Sequence, residues 1–177
     1  MEKDILSKYG AATTEALVES AIRHMQILED LDYREMKLSV KASDVTRTVR
    51  SYRQLAEICD YPLHLGVTEA GTLIAGTVQS SVALGILLSE GIGDTIRVSL
   101  TEHPRREVQV GQHILRCLGL RKQGPRIISC PTCGRVQIDV VNLAHQMVDE
   151  MEKLARQYPD RHLPSVAVMG CMVNGPG

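Results

Sequence analysis

Apolar residues in this chain recur at helical spacing, then in a short run, then at helical spacing again, and this alternation restricts the possible folds more than any other feature. From Thr13, the set Leu17, Ala21, Met25 and Leu28 returns every three or four residues and predicts a core-facing helix. A strand follows at Lys37 to Ala42. Ser43-Asp44 then offers a helix cap, and Val45, Val49, Tyr52, Ala56 and Cys59 form one stripe that ends at Tyr61-Pro62. Leu63 to Thr68 reads as the second strand. After Gly71, a helix carrying Val78, Val82, Gly85 and Leu88 runs to a Gly91-Ile92-Gly93 stop. Thr95 to Leu100 is the third strand, and Pro104 opens a helix through Val108, Gly111, Leu115 and Leu118. Strands separated by whole helices can pair only through crossovers, so the pattern predicts parallel βα units with strands buried on both faces.

Those strands nevertheless carry polar residues. Lys41 ends the first and Glu69 the second, while Arg97 and Ser99 alternate with Ile96 and Val98 in the third. All lie at or near carboxyl ends, which in a parallel α/β barrel form the mouth of the active site. Placed there, Lys41 and Arg97 would neutralise a phosphorylated substrate, Ser99 would hydrogen-bond it, and Glu69 would exchange a proton. The competing reading makes these four internal ion pairs or strand-end solvation.

Arg121-Lys122-Gln123-Gly124-Pro125 is a basic segment with turn residues, and it predicts a boundary between residues 1–121 and 122–177. Beyond it, Ile127 to Ser129 reads as a strand entering Cys130-Pro-Thr-Cys133. A helix with Val140, Ala144, Met147, Met151 and Leu154 on one face follows, then a strand from Val166 to Met169 that enters Cys171. Two strands flanking a helix would bring the cysteine turns together. The three thiols then read as a metal site with one coordination position that is not cysteine, which leaves a place for chemistry. Three alternatives stand on the residues alone: a zinc knuckle completed by Cys171 and His145 or His162, a thiol–disulfide redox pair, or an iron–sulfur site. Zinc would favour a second short-spaced pair, which the sequence lacks, and a redox pair leaves Cys171 unexplained. Cys59 and Cys117 lie on or beside apolar stripes and read as core residues.

Composition excludes whole classes of partner. The 177 residues carry a net charge of -1 with a pI near 6.6, so there is no electrostatic case for nucleic acid or an anionic membrane. No Trp or Phe is present to stack on single-stranded bases. No apolar run is long enough to span a bilayer or is bounded like a signal peptide, so the expected compartment is the cytoplasm. Five cysteines, an odd number, suit reduced thiols and metal ligation better than a disulfide framework.

Several runs carry a closer resemblance. Ser-Val-Lys-Ala-Ser-Asp at 39–44, His-Leu-Gly-Val-Thr-Glu-Ala-Gly at 64–71, Leu-Leu-Ser-Glu-Gly-Ile-Gly-Asp-Thr-Ile-Arg-Val-Ser-Leu at 87–100, Cys-Pro-Thr-Cys-Gly-Arg at 130–135 and Gly-Cys-Met-Val-Asn-Gly-Pro-Gly at 170–177 resemble the 4-hydroxy-3-methylbut-2-enyl diphosphate synthase family (GcpE/IspG). The resemblance covers essentially the whole chain. It implies an α/β fold: the last strands and helices of a TIM (β/α)8 barrel, followed by a truncated small α/β iron–sulfur domain. It also implies that Cys130, Cys133 and Cys171 ligate a [4Fe-4S] cluster, that Lys41, Arg97 and Ser99 bind diphosphate, and that Glu69 faces the reacting carbons. The implied reaction opens 2-C-methyl-D-erythritol 2,4-cyclodiphosphate reductively with electrons from ferredoxin or flavodoxin, in a homodimeric enzyme. Family members continue upstream with further barrel strands and arginines, and past Gly-Pro-Gly with a glutamate ligand. The chain is therefore expected to be a fragment, inactive by itself.

Overall fold

A computed structural model of the chain describes residues 1–121, 126–158, 161 and 163–174. The chain divides into two compact units, Met1–Arg121 and Lys122–Gly177. Of the basic segment read as a linker, residues 122–125 lie outside the described residues.

The first unit contains five helices among its described residues: α1 (Lys3–Tyr9), α2 (Thr14–Asp30), α3 (Val45–Ile58), α4 (Leu73–Ser89) and α5 (Pro104–Cys117). The sequence-level start signals operate as chemistry. The Thr13 hydroxyl accepts the Ala16 amide at 3.2 Å, the Asp44 carboxylate accepts the Arg47 amide at 2.6 Å, and Pro104 occupies the first turn of α5. Helix α1, only seven residues long, is too short to show a period and was not expected from the pattern.

The strands are parallel but much shorter than the sequence suggests. Strand β1 (His64–Leu65) pairs with β2 (Thr95–Ile96), His64 opposite Thr95, and the segment read as Lys37 to Ala42 contributes a single bridge, Leu38 opposite Leu63. For the first segment the reason is Tyr52. Its phenol enters from α3, accepts the Val40 amide at 3.2 Å and donates to the His64 carbonyl at 2.5 Å, relaying a bond that a regular ladder would make directly. Thr48, also on α3, takes the Ala42 amide in the same way at 3.2 Å. Both side chains are fully buried. Tyr52→Phe should therefore leave a buried amide and part of a carbonyl unsatisfied, and lower the unfolding free energy by about 1–3 kcal/mol in urea denaturation. An unchanged midpoint would mean that the phenol bears no such load.

Only one face of these strands is buried, against the expectation of two. Leu38, Val40, Ala42, Leu63, Leu65, Val67 and Val98 form that face and pack with Val49, Leu55, Leu84, Leu87 and Ile114 of the helices. The opposite face carries Ser39, Lys41, His64, Arg97 and Ser99, all half-buried or exposed. Helix α4 also differs from the reading of its stripe. Val78 and Val82 are 57% and 47% exposed, whereas Gly76, Ser80, Ala83, Leu84 and Leu87 face inward. The small side packs because it must: a Cβ on Gly76 would lie 2.5 Å from Leu100 Cδ2 and 3.2 Å from the Ser99 carbonyl oxygen. On α5, Gly111 and Ile114 are buried and Val108 is exposed. Cys59 packs against the core, but Cys117, read as a core residue, is exposed.

In the second unit, β3 (Ile127–Ser129) pairs in parallel with β4 (Val166–Val168), Ile127 opposite Val166, with α6 (Val140–Gln157) between them in sequence. Asp139 caps α6 by accepting the Asn142 amide at 3.0 Å. Val140 and Met151 are its buried residues, while Leu154, read on the same stripe, is 38% exposed. Among the described residues, no helix is long and apolar enough to cross a membrane.

Candidate functional site

Two groups of side chains stand out, one in each unit. In the first, the parallel register is the starting point. Leu38 lies opposite Leu63 and Leu65 opposite Ile96, and the Thr68 amide bonds the Ala42 carbonyl at 3.1 Å, which keeps the first pairing in step. Carried forward, this register puts Lys41, Gly66 and Arg97 side by side in one row on the open face. Ser39, His64 and Thr95 occupy the row before it, and Thr68 and Ser99 the row after.

The geometry of the middle row agrees with that count. A Cβ on Gly66 would meet Lys41 Cε at 3.1 Å and Lys41 Nζ at 3.3 Å, so the lysine chain lies directly across the glycine. Burial first, and then the Arg97 guanidinium, hold the Lys41 ammonium below its ordinary pKa. Neither cation, nor the Ser99 hydroxyl, has a hydrogen-bond or ion-pair partner among the described residues. The reading of these residues as internal ion pairs therefore fails for Lys41 and Arg97. Two uncompensated cations in one row, on either side of the Gly66 strand, are of the charge and chemistry that could attract a phosphoryl or carboxylate group.

Glu69 lies just beyond the second strand with φ 54, a left-handed conformation uncommon for a non-glycine residue. Its loop is fixed to the end of the third strand, where the Thr101 amide donates to the Gly71 carbonyl at 2.9 Å. The Glu69 side chain is exposed, at the same end of the strands as Ser99.

In the second unit, Cys130, Cys133 and Cys171 line one cavity of about 200 Å³ together with Pro131, Arg135, Val136, Gly170 and Asn174. Backbone pairing brings them there. The Cys130 amide donates to the Val168 carbonyl at 3.1 Å, the Gln137 amide to the Gly170 carbonyl at 2.7 Å, and the Gly170 amide to Cys130 Sγ at 3.2 Å. Amides of Asn174 and Val173, with a smaller push from the Arg135 charge, hold the Cys171 thiol below its ordinary range despite the opposing effect of burial. All three are free thiols.

Gly170 shows how closely the cavity wall is drawn. A Cβ there would fall 2.6 Å from Val136 Cγ2, 3.3 Å from Val140 Cβ and 3.5 Å from Cys130 Sγ. Among the described residues, no three His, Cys, Asp or Glu side chains converge tightly enough to hold a single metal ion. The donor set itself, three free thiols lining one cavity, is of a kind that iron–sulfur groups and zinc both take. His145, considered as a zinc ligand, is exposed on α6 and does not line the cavity; His162 lies outside the described residues.

Sequence reasoning missed His64, Gly66 and Tyr52. The His64 Nδ1 pairs with Thr95 Oγ1 at 2.8 Å, and burial, followed by the charges of Lys41, Lys37 and Arg97, keeps the imidazole below its usual pKa. A glycine inside an apolar strand run was the available signal for Gly66, since it marks a close approach. No signal distinguished Tyr52 from any other residue on the α3 stripe.

Fold and side chains together define a class, an α/β protein that pairs a cationic strand face with a separate three-thiol cavity. The chain belongs to the GcpE family. Residues 1–112 match the GcpE TIM-barrel domain and residues 126–177 the GcpE protein C-terminal domain. Among similar proteins, one from Desulfotalea psychrophila is 56% identical over 180 residues, covering 100% of this chain and 48% of that protein. One from Geobacter sulfurreducens is 55% identical and one from Clostridium acetobutylicum 52%, with 48% and 49% of those proteins covered. All three are named 4-hydroxy-3-methylbut-2-en-1-yl diphosphate synthase (flavodoxin). The chain thus spans about half the length of the curated relatives it matches.

Proposed function

We propose that this chain provides diphosphate-binding and cluster-binding residues to a reductive enzyme that converts 2-C-methyl-D-erythritol 2,4-cyclodiphosphate to 4-hydroxy-3-methylbut-2-enyl diphosphate in isoprenoid biosynthesis. In that reaction one carbon–oxygen bond to the diphosphate breaks with its electron pair on oxygen. A neighbouring hydroxyl leaves as water after taking a proton, and two electrons complete the new alkene. The observation that carries this reading is the set Cys130, Cys133 and Cys171 around one cavity in a chain of this family.

In this reading the first unit forms the last strands and helices of a TIM barrel, and the second begins a small iron–sulfur domain. Cys130, Cys133 and Cys171 would hold a [4Fe-4S] cluster. When bound, such a group supplies single electrons and a Lewis-acidic iron position free of thiolate. Lys41 and Arg97 neutralise the diphosphate and Ser99 donates a hydrogen bond to it, which fixes the carbon–oxygen bonds for reduction. Glu69, exposed past the strand end, gives the leaving hydroxyl its proton. The relatives' names point to flavodoxin as electron donor, with ferredoxin the other candidate, and the working form is a homodimer. A reducing cytoplasmic setting suits five free thiols.

A chimera tests this directly. The segment replaces its counterpart in the Geobacter sulfurreducens relative, and phosphorus NMR follows the cyclic diphosphate under a reduced flavodoxin. The expected result is the linear allylic diphosphate; a folded, iron-loaded chimera without product contradicts the proposal. In the same chimera, Glu69→Gln keeps the shape but cannot release a proton, so kcat should fall by about 10²–10⁴-fold with little change in substrate affinity. Undiminished turnover would remove Glu69 from the mechanism.

A further inference from the structure

The middle row of the open face pairs two cations with a residue that has no side chain. Lys41 reaches across Gly66 toward the strand that carries Arg97, and the space it uses is the space a Cβ at position 66 would claim. That Cβ would stand 3.1 Å from Lys41 Cε, 3.3 Å from Lys41 Nζ and 2.8 Å from the Arg97 carbonyl oxygen. Gly66 is itself buried, and on either side of it the row holds no carboxylate partner for the cations among the described residues. Tyr52 alters the pairing beside this row. By standing between the Val40 amide and the His64 carbonyl, it replaces a direct ladder bond one row below.

We infer that Gly66 is a positioning residue whose missing side chain lets Lys41 and Arg97 close on one and the same phosphoryl group, so that the two cations act as a single coupled receptor and not as two independent contacts. This rests on the proposed role of the strand face as a diphosphate site. Two cations that are neighbours without a counter-ion raise each other's cost in the empty site, and a shared phosphoryl group relieves that cost for both at once. Removing either one should then remove most of what the pair supplies. Removing the second should add little.

The test is calorimetric titration of inorganic pyrophosphate into the 177-residue chain, with Lys41→Ala, Arg97→Ala, the double variant, Gly66→Ala and Gly66→Ala in the Lys41→Ala background. Each cation variant should bind at least about tenfold more weakly, and the double variant no more than about threefold more weakly than the worse single. Gly66→Ala should lose at least as much as Lys41→Ala, since its Cβ would stand 2.8 Å from the Arg97 carbonyl oxygen as well as 3.1 Å from Lys41 Cε. Because the two cations are coupled, it should cost no more than about threefold further when Lys41 is already alanine. If Gly66→Ala does not fold, the coupling between the two cation variants decides alone. Additive losses, or a Gly66→Ala loss that persists in the Lys41→Ala background, overturn the inference and leave the diphosphate site standing. No pyrophosphate binding by the unaltered chain, or unchanged binding in both single cation variants, overturns the diphosphate reading itself.

Discussion

Arg97→Ala should weaken binding of the cyclic diphosphate by on the order of 2–5 kcal/mol, about thirty- to several-thousand-fold, and leave iron content untouched. The size follows from the setting. Arg97 lies in one row with the partly buried Lys41, on the other side of Gly66, so in the proposed site its loss would remove one of two neutralising charges and leave the other alone. A guanidinium also offers a planar fork of donors that alanine cannot replace and lysine replaces poorly, so Arg97→Lys should recover only part of the affinity. Calorimetry with the cyclic diphosphate measures the first effect, and iron and sulfide analysis the second. Loss of iron in the Arg97 variant would show that this strand face is a structural element and that the two sites have been wrongly separated.

The reverse result is expected of Cys171→Ser. A serine hydroxyl stays protonated where a thiol ionises, and Cys171 is the thiol that the amides of Asn174 and Val173 already favour as thiolate. After anaerobic iron–sulfide reconstitution, the variant should hold only a small fraction of the iron of the unaltered chain. Pyrophosphate binding should remain unchanged. Cys117→Ser is the matched control, because Cys117 is exposed on α5 and does not line the cavity, and it should keep full iron content. Equal iron in the Cys171 and Cys117 variants would exclude Cys171 as a ligand.

What the amino-acid order could reveal was set by how local each interaction is. The start signals at Ser43-Asp44 and Pro104 act within one turn, and they are readable as such. Polar residues alternating with apolar ones in the third strand gave the open face its first sign. The face of α4 was not readable, because a helix with no charged residue offers no contrast between inside and outside; the small residues Gly76 and Ser80 face inward through the fit of helix to strand. The pairing of the 37–42 segment is shorter than its sequence suggests for a non-local reason, the entry of the Tyr52 phenol between Val40 and His64. At the cysteines, the Cys130–Cys133 spacing is local, but Cys171 reaches the same cavity only through the pairing of β3 with β4, forty residues along the chain from Cys130 by the Gly170 contact. Gly66 belongs with the non-local features, since its meaning depends on Lys41 from the neighbouring strand.

The most direct test of the account is the metal content of the chain purified without oxygen, measured as iron, acid-labile sulfide and zinc, with electron paramagnetic resonance after reduction by dithionite. The account predicts iron and sulfide in similar amounts, a broad visible absorption lost on exposure to air, a cluster signal on reduction, and the disappearance of all of these in Cys130→Ser, Cys133→Ser and Cys171→Ser alike. Stoichiometric zinc with no uptake of iron under reconstitution would contradict it.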